Sequence, residues 1–523
     1  MRLVTTAEMR ALEHGAFAAG TTEVELMERA GTAVAHAAAE WLTNPRGRRT
    51  LVLAGKGNNG GDALIAARVL QGQYGAAPQI YLAADRGGDP LLAWARNAGA
   101  PIAVHGAGST DRLRAWLGAA DVVIDGLLGI GGRLPLSGAI AEILEVCRAV
   151  RPAGQRRIAV DVPTGVQADT GQADERAFRA DLTLATGPAK LGLFLHPGAA
   201  LAGRVRPLDI GMAAPSGGLS RAEALDVAQL LPARPDDSHK GTYGKVLVIA
   251  GSRRYVGAAY LAGAAAVRAG AGLVTLAIPA AVQPALAARS VETTYLPLPD
   301  DPAAPGCLTP GHLGPLLEAM AQYDAIVVGP GIGPEPATRR LVLLLAEHLA
   351  AQRMGDPPRG APPPALFDAD GLNALAAARE WPQPEASRWV LTPHPGEMGR
   401  LTGKQTREVQ ADRLGVARDA AAAWGQIVVL KGAPSIAAAP DGHAYLNAFA
   451  NAALASAGSG DVLSGVVGGL LAQGCAPRDA AVAGSYVHGL AAELWRAERG
   501  PAGLPASHLA EYVPRALRYL RSL

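Results

Sequence analysis

The residues of this chain most suited to chemistry sit in glycine-rich turns. Gly55-Lys56-Gly57-Asn58-Asn59-Gly60-Gly61-Asp62 separates a short apolar run from a helical one. Glycine permits positive φ and close backbone approach, and a helix start offers unpaired N–H groups to a phosphate. A tight strand-to-helix turn needs the glycines alone. Asn58, Asn59 and Asp62 add acceptor oxygens that such a turn does not require, so the segment is expected to bind a ligand. The spacing differs from GxGxxG, which sets aside an ordinary dinucleotide-binding dehydrogenase.

Two more apolar runs end in acids. Val122-Val123-Ile124-Asp125 leads into Gly126-Leu127-Leu128-Gly129 and then Gly131-Gly132-Arg133-Leu134-Pro135, and Ile158-Ala159-Val160-Asp161 leads into Val162-Pro163-Thr164-Gly165. In a parallel sheet the carboxyl ends of the strands face one crevice. A single Asp there can merely cap the next helix. Asp62, Asp125 and Asp161, each beside glycines, are expected to meet at one edge. Farther on, Lys431-Gly432-Ala433-Pro434-Ser435 follows an apolar run, and Ser456-Ala457-Gly458-Ser459-Gly460-Asp461 opens an apolar helix. A small-residue turn at a helix start makes an anion hole from backbone N–H groups. An Asp just inside it can take a proton from an alcohol while the hole stabilises a transferring phosphoryl group.

Such residues need a scaffold that gathers strand ends. In the first half, apolar runs at 51–54, 79–83, 102–104, 122–124 and 158–162 alternate with helical patterns at 62–71, 91–98, 113–119 and 140–150, and 182–185 and 205–210 close the set. This alternation predicts a parallel sheet with helices on both faces. The pattern lapses near 211–222, where the domain seam is expected. It restarts with strands at 245–250, 273–278, 325–328, 365–367, 389–391 and 427–430 and a helix at 258–269. A hairpin over 436–446 turns at Asp441-Gly442, helices fill 461–473, 478–496 and 507–521, and the proline-rich stretch 355–364 reads as an exposed loop.

Composition removes other classes. The chain has 523 residues, which suits two or three domains of roughly 100–200 residues, and 49% of them are hydrophobic against 18% charged, which excludes disorder as the main state. A net charge of +2 without a long basic run gives no case for nucleic acid or a membrane surface. The uncharged stretch 269–288 is mostly Ala and Gly and contains Pro279 and Pro284, so it reads as a strand and a short helix rather than a membrane span. Cys147, Cys307 and Cys475 are scattered, which argues against disulfides and zinc and suits a reducing cytoplasm. Lysine occurs six times among 48 basic residues, so a lysine kept where Arg is the rule points weakly to a geometric need.

Met27-Glu28-Arg29-Ala30-Gly31, GNNGGD at 57–62, the Asp125 segment and VDVPTG at 160–165 resemble the YjeF N-terminal domain family, which includes NAD(P)H-hydrate epimerases. The resemblance implies a Rossmann-like three-layer α/β/α domain over 1–213 with a potassium site. Carried onto matching positions, it implies Asn59, Asp125 and Thr164 as potassium ligands. It implies Asn58, Asn59, Gly60, Gly61, Asp62, Gly129, Ile130, Gly131, Gly132, Arg133, Leu134, Pro135 and Asp161 as contacts to the hydrated nucleotide, with Asp161 also catalytic. Thr164 keeps the hydroxyl of the family's usual Ser, Ala63 replaces a common Gly, and Lys56 and Lys190 are expected to favour phosphate groups.

The second half resembles the ribokinase-like superfamily, and within it the YjeF C-terminal, ADP-dependent NAD(P)H-hydrate dehydratases. The narrowing residues are Ser238-His239-Lys240-Gly241, Ala250-Gly251-Ser252, Gly329-Pro330-Gly331-Ile332-Gly333 and Thr392-Pro393-His394-Pro395-Gly396-Glu397, in order. This implies a ribokinase-like α/β domain over 222–523. Ala258, Gly333, His394 and Asp461 are then hydrate contacts, and Lys431, Gly432, Ala433, Pro434, Ser435 and Gly460 bind the adenine nucleotide. Asp461 becomes the base and Mg²⁺ the phosphate counterion. Ala450, Ala453 and Ala457 stand where Gly is common. The expectation is a bifunctional repair enzyme acting on NADHX and NADPHX with ADP, cytoplasmic and a homo-oligomer, tetrameric or larger. A vitamin-type kinase joined to a YjeF-like binding scaffold is the alternative.

Overall fold

In the computed structural model of the chain, the described residues are 1–106, 108–213, 218–352, 362–378, 380–384 and 387–523. They divide into two units, Arg2–Gly217 and Gly218–Leu523 together with Met1.

The first unit carries β1 (Leu3–Val4), β2 (Arg49–Ala54), β3 (Ala77–Leu82), β4 (Ile102–Val104), β5 (Val122–Gly126), β6 (Arg156–Val160), β7 (Leu182–Thr186), β8 (Ala189–Lys190) and β9 (Arg204–Leu208). Seven of these form one sheet in the order β4-β3-β2-β5-β6-β7-β9, every pair parallel, and β1 pairs with β8. Successive strand residues point to opposite faces. Val52, Ile124 and Val160 therefore pack on the helices Glu23–Leu42 and Asn58–Tyr74, and Leu51, Leu53 and Val123 on Ser109–Ala119 and Gly138–Ala149. Glycine sets the fit of the first helix pair. A Cβ on Gly31 would meet Ile65 Cβ at 2.5 Å, and one on Gly61 would meet Met27 Sδ at 2.4 Å. The Met27–Gly31 segment is thus a packing device behind the Gly-rich turn.

The second unit carries β10 (Leu219–Arg221), β11 (Lys245–Ile249), β12 (Leu273–Pro279), β13 (Thr294–Leu298), β14 (Ala325–Val328), β15 (Ala365–Phe367), β16 (Trp389–Leu391), β17 (Ile427–Leu430), β18 (Ile436–Ala438) and β19 (Ala444–Leu446). Its sheet runs β10-β19-β18-β17-β16-β15-β14-β11-β12-β13. Only the β17-β18 and β18-β19 pairs are antiparallel, and β10 joins β19 in parallel. One face packs on the helices Val256–Ala269, Ser459–Ala472, Pro477–Arg499 and Ala506–Arg521, the other on Leu313–Met320, Pro336–Ala351 and Asp370–Ala376.

Several elements differ from the expectation. The helix expected from Asp62 begins at Asn58, because Gly57 is its N-cap and Gly60 and Gly61 N–H bond Gly57 O at 3.1 and 3.2 Å. Residues 91–98 break into a 3-10 turn, Pro90–Leu92, and a short helix, Ala93–Asn97. The strand expected to run to Val162 stops at Val160, where Asp161 takes φ +66°. Edge strands β10 and β13 were not foreseen. The former is three residues beside a Gly/Ser-rich stretch, and the latter contains Pro297, which only an edge tolerates. Strand β12 and the helix Gln283–Ala287 occupy the uncharged stretch at 269–288. Among the described residues no helix is long and apolar enough to cross a membrane. Residues 214–217 of the seam and 355–361 of the proline-rich loop lie outside the described residues.

Candidate functional site

At the carboxyl edge of the first sheet lies a cavity of about 590 Å³. Asn58, Asn59 and Asp62 enter it from the first turn of their helix, Gly129–Gly132 from the loop after β5, and Asp161 from the end of β6. Glu13 and Arg10 complete it from the helix Thr6–Ala18. The helix Asn58–Tyr74 has no side-chain cap, so its first N–H groups are left for a ligand.

Asp161 is fixed by backbone and side chain together. Its Oδ1 accepts from Thr186 Oγ1 at 2.9 Å, from Thr186 N at 3.3 Å and from Lys190 Nζ. Lys190 is fully buried and also donates to Thr186 O at 2.8 Å. It therefore neutralises Asp161 and does not line the cavity, which corrects its expected role toward phosphate. Asp62 is 8% exposed and makes no side-chain hydrogen bond among the described residues. Burial and then the Asp161 carboxylate hold its carboxyl well above the usual range, with Lys190 opposing. Burial and Asp161 likewise raise Glu13.

Behind the loop, Asp125 is fully buried. Its Oδ1 accepts from Thr164 Oγ1 at 2.7 Å and Leu127 N at 3.1 Å, and its Oδ2 from Thr164 N at 2.8 Å. Burial pushes this carboxyl up to about 6, against those hydrogen bonds. All these donors are neutral, so the buried carboxylate lacks a counter-charge. A Cβ on Gly129 would lie 3.4 Å from Asn59 Oδ1, which puts the Asn59 amide against the same loop, and Asn59 Nδ2 is buried without a partner among the described residues. Asn59, Asp125 and Thr164 together offer hard oxygens and one uncompensated negative charge, a donor set that fits a large monovalent cation.

In the second unit the strand ends converge on Asp368, just past β15 and 1% exposed. Its Oδ1 accepts from Lys431 Nζ at 2.6 Å and Thr392 Oγ1 at 2.8 Å, and its Oδ2 from Ser464 Oγ at 2.7 Å. Lys431 Nζ also lies 3.7 Å from Glu397 Oε2. Burial pulls this ammonium down, but Asp368 and Glu397 outweigh it and the net shift is upward. Asp461 sits in the first turn of Ser459–Ala472, whose N-cap Gly458 has φ +87° and whose start has no side-chain cap. Burial, then Asp368, push the Asp461 carboxyl up to about 7, with Lys431 opposing. His488, which burial holds down to about 4 and so neutral, pins that turn through Nε2–H to Ser459 O at 2.9 Å.

His394 Nδ1 accepts from Gly396 N at 3.0 Å and Glu397 N at 3.3 Å, capping the helix Pro395–Thr402, and burial lowers its pKa. The ring is half exposed, with Nε2 3.4 Å from Glu397 Oε1. Gly333 N donates to Asp370 Oδ2 at 3.0 Å. A Cβ on Gly331 would lie 2.6 Å from Ala258 Cβ, which sets that loop against Ala258. One guanidinium clamps the Lys431–Ser435 turn: Arg413 Nη2 donates to Pro434 O at 2.9 Å and to Leu430 O and Lys431 O at 3.3 Å.

Of the expected residues, Gly60 and Gly61 face inward, against Gly55 O and Met27. Arg133, Leu134 and Pro135 lie beyond the cavity lining, with Leu134 half-buried against the core. Gly460 sits beside Lys431 Nζ. Ala453 is buried in the core, whereas Ala450 and Ala457 are exposed. Sequence reasoning missed Asp368, although an Asp directly after an apolar strand is the signal that found Asp125 and Asp161. It also missed Glu13 and Arg413, for which the chain carries no local signal.

Two carboxylate-bearing sites at parallel-strand ends, each under an uncapped helix start, define an α/β nucleotide-handling protein. Residues 23–192 match the family described as YjeF-related protein N-terminus, and residues 246–515 match NAD(P)H-hydrate dehydratase. The chain is 38% identical to the bifunctional NAD(P)H-hydrate repair enzyme of Moorella thermoacetica, over 99% of this chain and 97% of that one. The enzyme of the same description from Escherichia coli is 34% identical, over 95% and 90%. Among solved structures, the ADP/ATP-dependent NAD(P)H-hydrate dehydratase of Bacillus subtilis, co-crystallised with ATP and Mg²⁺, is 33% identical with a TM-score of 0.48, over 58% of this chain and 98% of that one. The chain belongs to the family of bifunctional NAD(P)H-hydrate repair enzymes.

Proposed function

We propose that the unit formed by the first part of the chain interconverts the R and S forms of NADHX and NADPHX, and that the second unit dehydrates the S form with ADP. The supporting observation is a full-length relationship to bifunctional repair enzymes in a chain that keeps both carboxylate sites. In the first unit, the N–H groups of Asn58 and Asn59 at the helix start and the Gly129–Gly132 loop receive the nucleotide's phosphates, with Lys56 at the cavity mouth. The ring then sits toward Asp62 and Asp161. A potassium ion held by Asn59, Asp125 and Thr164 would neutralise Asp125 and stiffen the loop.

In the second unit, Asp461 takes the proton of the 6-hydroxyl as that oxygen attacks the β-phosphorus of ADP. AMP leaves, and the N–H groups at 458–461 hold the transferring phosphoryl oxygens. Loss of phosphate with a C5 proton then restores the dihydronicotinamide. Lys431 is anchored by Asp368 and stands against the phosphates, while Lys431–Ser435 and Gly460 frame the nucleotide. Ala258, Gly333 and His394 contact the hydrate. Mg²⁺, which needs only one or two carboxylates besides phosphate oxygens, would arrive with ADP, meet Glu397 and neutralise phosphate charge.

The proposal assigns the epimerase to 1–213 and the dehydratase to 222–523 extended by β10, in a cytoplasmic homo-oligomer, tetrameric or larger. The test is the pure protein on mixed R and S hydrates with ADP, following dihydronicotinamide absorbance. Complete conversion supports both activities. Accumulation of a stable phosphorylated product would indicate a kinase instead. Light scattering reads the assembly.

A further inference from the structure

The epimerase reading leaves open which groups move the proton. We propose that Asp62 and Asp161 are the proton-transfer pair of the first site, Asp62 giving a proton to the hydroxyl on one face of the ring and Asp161 taking one from water on the other. This rests on the epimerase reading above.

The geometry separates the two carboxyls by environment. Both line the same cavity, Asp62 from a helix start and Asp161 from a strand end. Three donors occupy Asp161 Oδ1, one of them the buried Lys190 ammonium, and Oδ2 has no hydrogen-bond partner among the described residues. Asp62 receives no donor and is almost wholly shielded. The charged and titratable groups facing it are Asp161, Lys190 and Glu13, with Arg10 and Lys56 also on the cavity wall. Burial and the two neighbouring carboxylates favour its protonated form over the opposing Lys190. A shielded carboxyl without a donor, facing one held by an ammonium and a hydroxyl in the same cleft, gives the two unlike environments that an acid and its partner base require.

The chemistry needs such a pair. The reacting carbon, C6, bears the hydroxyl and is bonded to the ring nitrogen. The Asp62 proton moves to the hydroxyl oxygen, and the C6–O bond breaks with its electrons leaving in water. The nitrogen lone pair forms a C6=N bond, and C6 becomes planar. Water then adds from the opposite face, its oxygen forms the new C6–O bond, and the π pair returns to nitrogen. The released proton goes to Asp161. One proton has passed from Asp62 to Asp161, the configuration is inverted and the oxygen is replaced. Exchange with solvent resets the pair, and the reverse direction uses the same groups in exchanged roles.

The test uses the full-length protein without ADP, so that dehydration is silent, and hydrate carrying ¹⁸O in the C6 hydroxyl. Chromatography reads inversion and mass spectrometry reads label, each corrected for the rate without protein. The expected result is loss of label in step with inversion. Asp62→Asn and Asp161→Asn are each expected to slow inversion by about 10²–10³-fold, while ADP-dependent dehydration of the S form, assigned to the other unit, continues in both. Inversion with label retained would overturn the proposal, as would an Asp62→Asn protein within about threefold of wild type. The label arm uses wild type and stands even if a variant fails to fold. A wild-type protein that does not speed inversion at all would overturn the epimerase reading itself, a different outcome from either of those.

Discussion

Dehydration by the second site should rise with pH through the titration of Asp461. As a base, Asp461 works only when ionised, and its carboxyl is pushed up to about 7 by burial and by Asp368. With that value, about a tenth of the protein has the working form at pH 6 and about nine tenths at pH 8, so kcat/KM for the S hydrate should climb roughly tenfold between them. The pure S hydrate with saturating ADP gives the profile, read as dihydronicotinamide absorbance. ADP titrates nearby, so the profile needs a second arm in the protein. Lys431 Nζ stands among these acids and opposes the upward shift of Asp461. In Lys431→Met that opposition is gone, and the ascending limb should move to higher pH while the titration of ADP stays where it was. The same substitution strips a buried carboxylate of its cation and should cost about 3–5 kcal/mol of stability in that unit, so the melt must be checked first. A profile flat from pH 6 to 8, or a limb at the same pH in Lys431→Met, would remove Asp461 as the base.

Other outcomes follow from packing and charge. A Cβ on Gly126 would meet Ala63 Cβ at 2.4 Å and Asn59 O at 2.8 Å; Gly126→Ala should therefore cost about 2 kcal/mol, and about 1 kcal/mol less in an Ala63→Gly background, by urea unfolding of the four proteins of the cycle. Potassium chloride should raise the melting temperature of the first unit relative to tetramethylammonium chloride, and Asp125→Ala should abolish the difference, as scanning fluorimetry can report. A chain beginning at Gly218 should fold and dehydrate S hydrate, whereas one beginning at Ala222 lacks β10 and leaves β19 as a bare edge; its lower melting temperature and greater aggregation are the measurements.

Strands that are apolar runs between helical stretches were legible, and five of them, the edge strand Ile102–Val104 and four interior ones ending with Ile427–Leu430, have the expected bounds. The two edges of the second sheet were not, because β10 is short and β13 carries a proline, so neither shows an apolar period. Asp161 was legible as a strand-end acid, but its φ of +66° and its bond to Lys190 were not. Both depend on β7 and β8, which are distant in sequence. Lys431 showed as the first residue of a glycine-rich turn, yet its side chain points to Asp368, 63 positions away. Residue type and spacing disclose which groups are available, whereas the partner of each buried charge is decided by which strands become neighbours.

If the Lys431–Ser435 turn receives the nucleotide as proposed, the Arg413 clamp bears on the timing of its capture. Three carbonyls of the Leu430–Pro434 segment are tied to one guanidinium, which holds that turn in shape without a ligand. Its ordering entropy is spent during folding and is not charged again at each encounter. Capture then resembles docking onto a rigid cradle, limited by diffusion and orientation, with no slow ordering phase. Loosening the clamp would therefore appear first in the on-rate, as a search for the competent loop shape, before it altered how long the nucleotide stays.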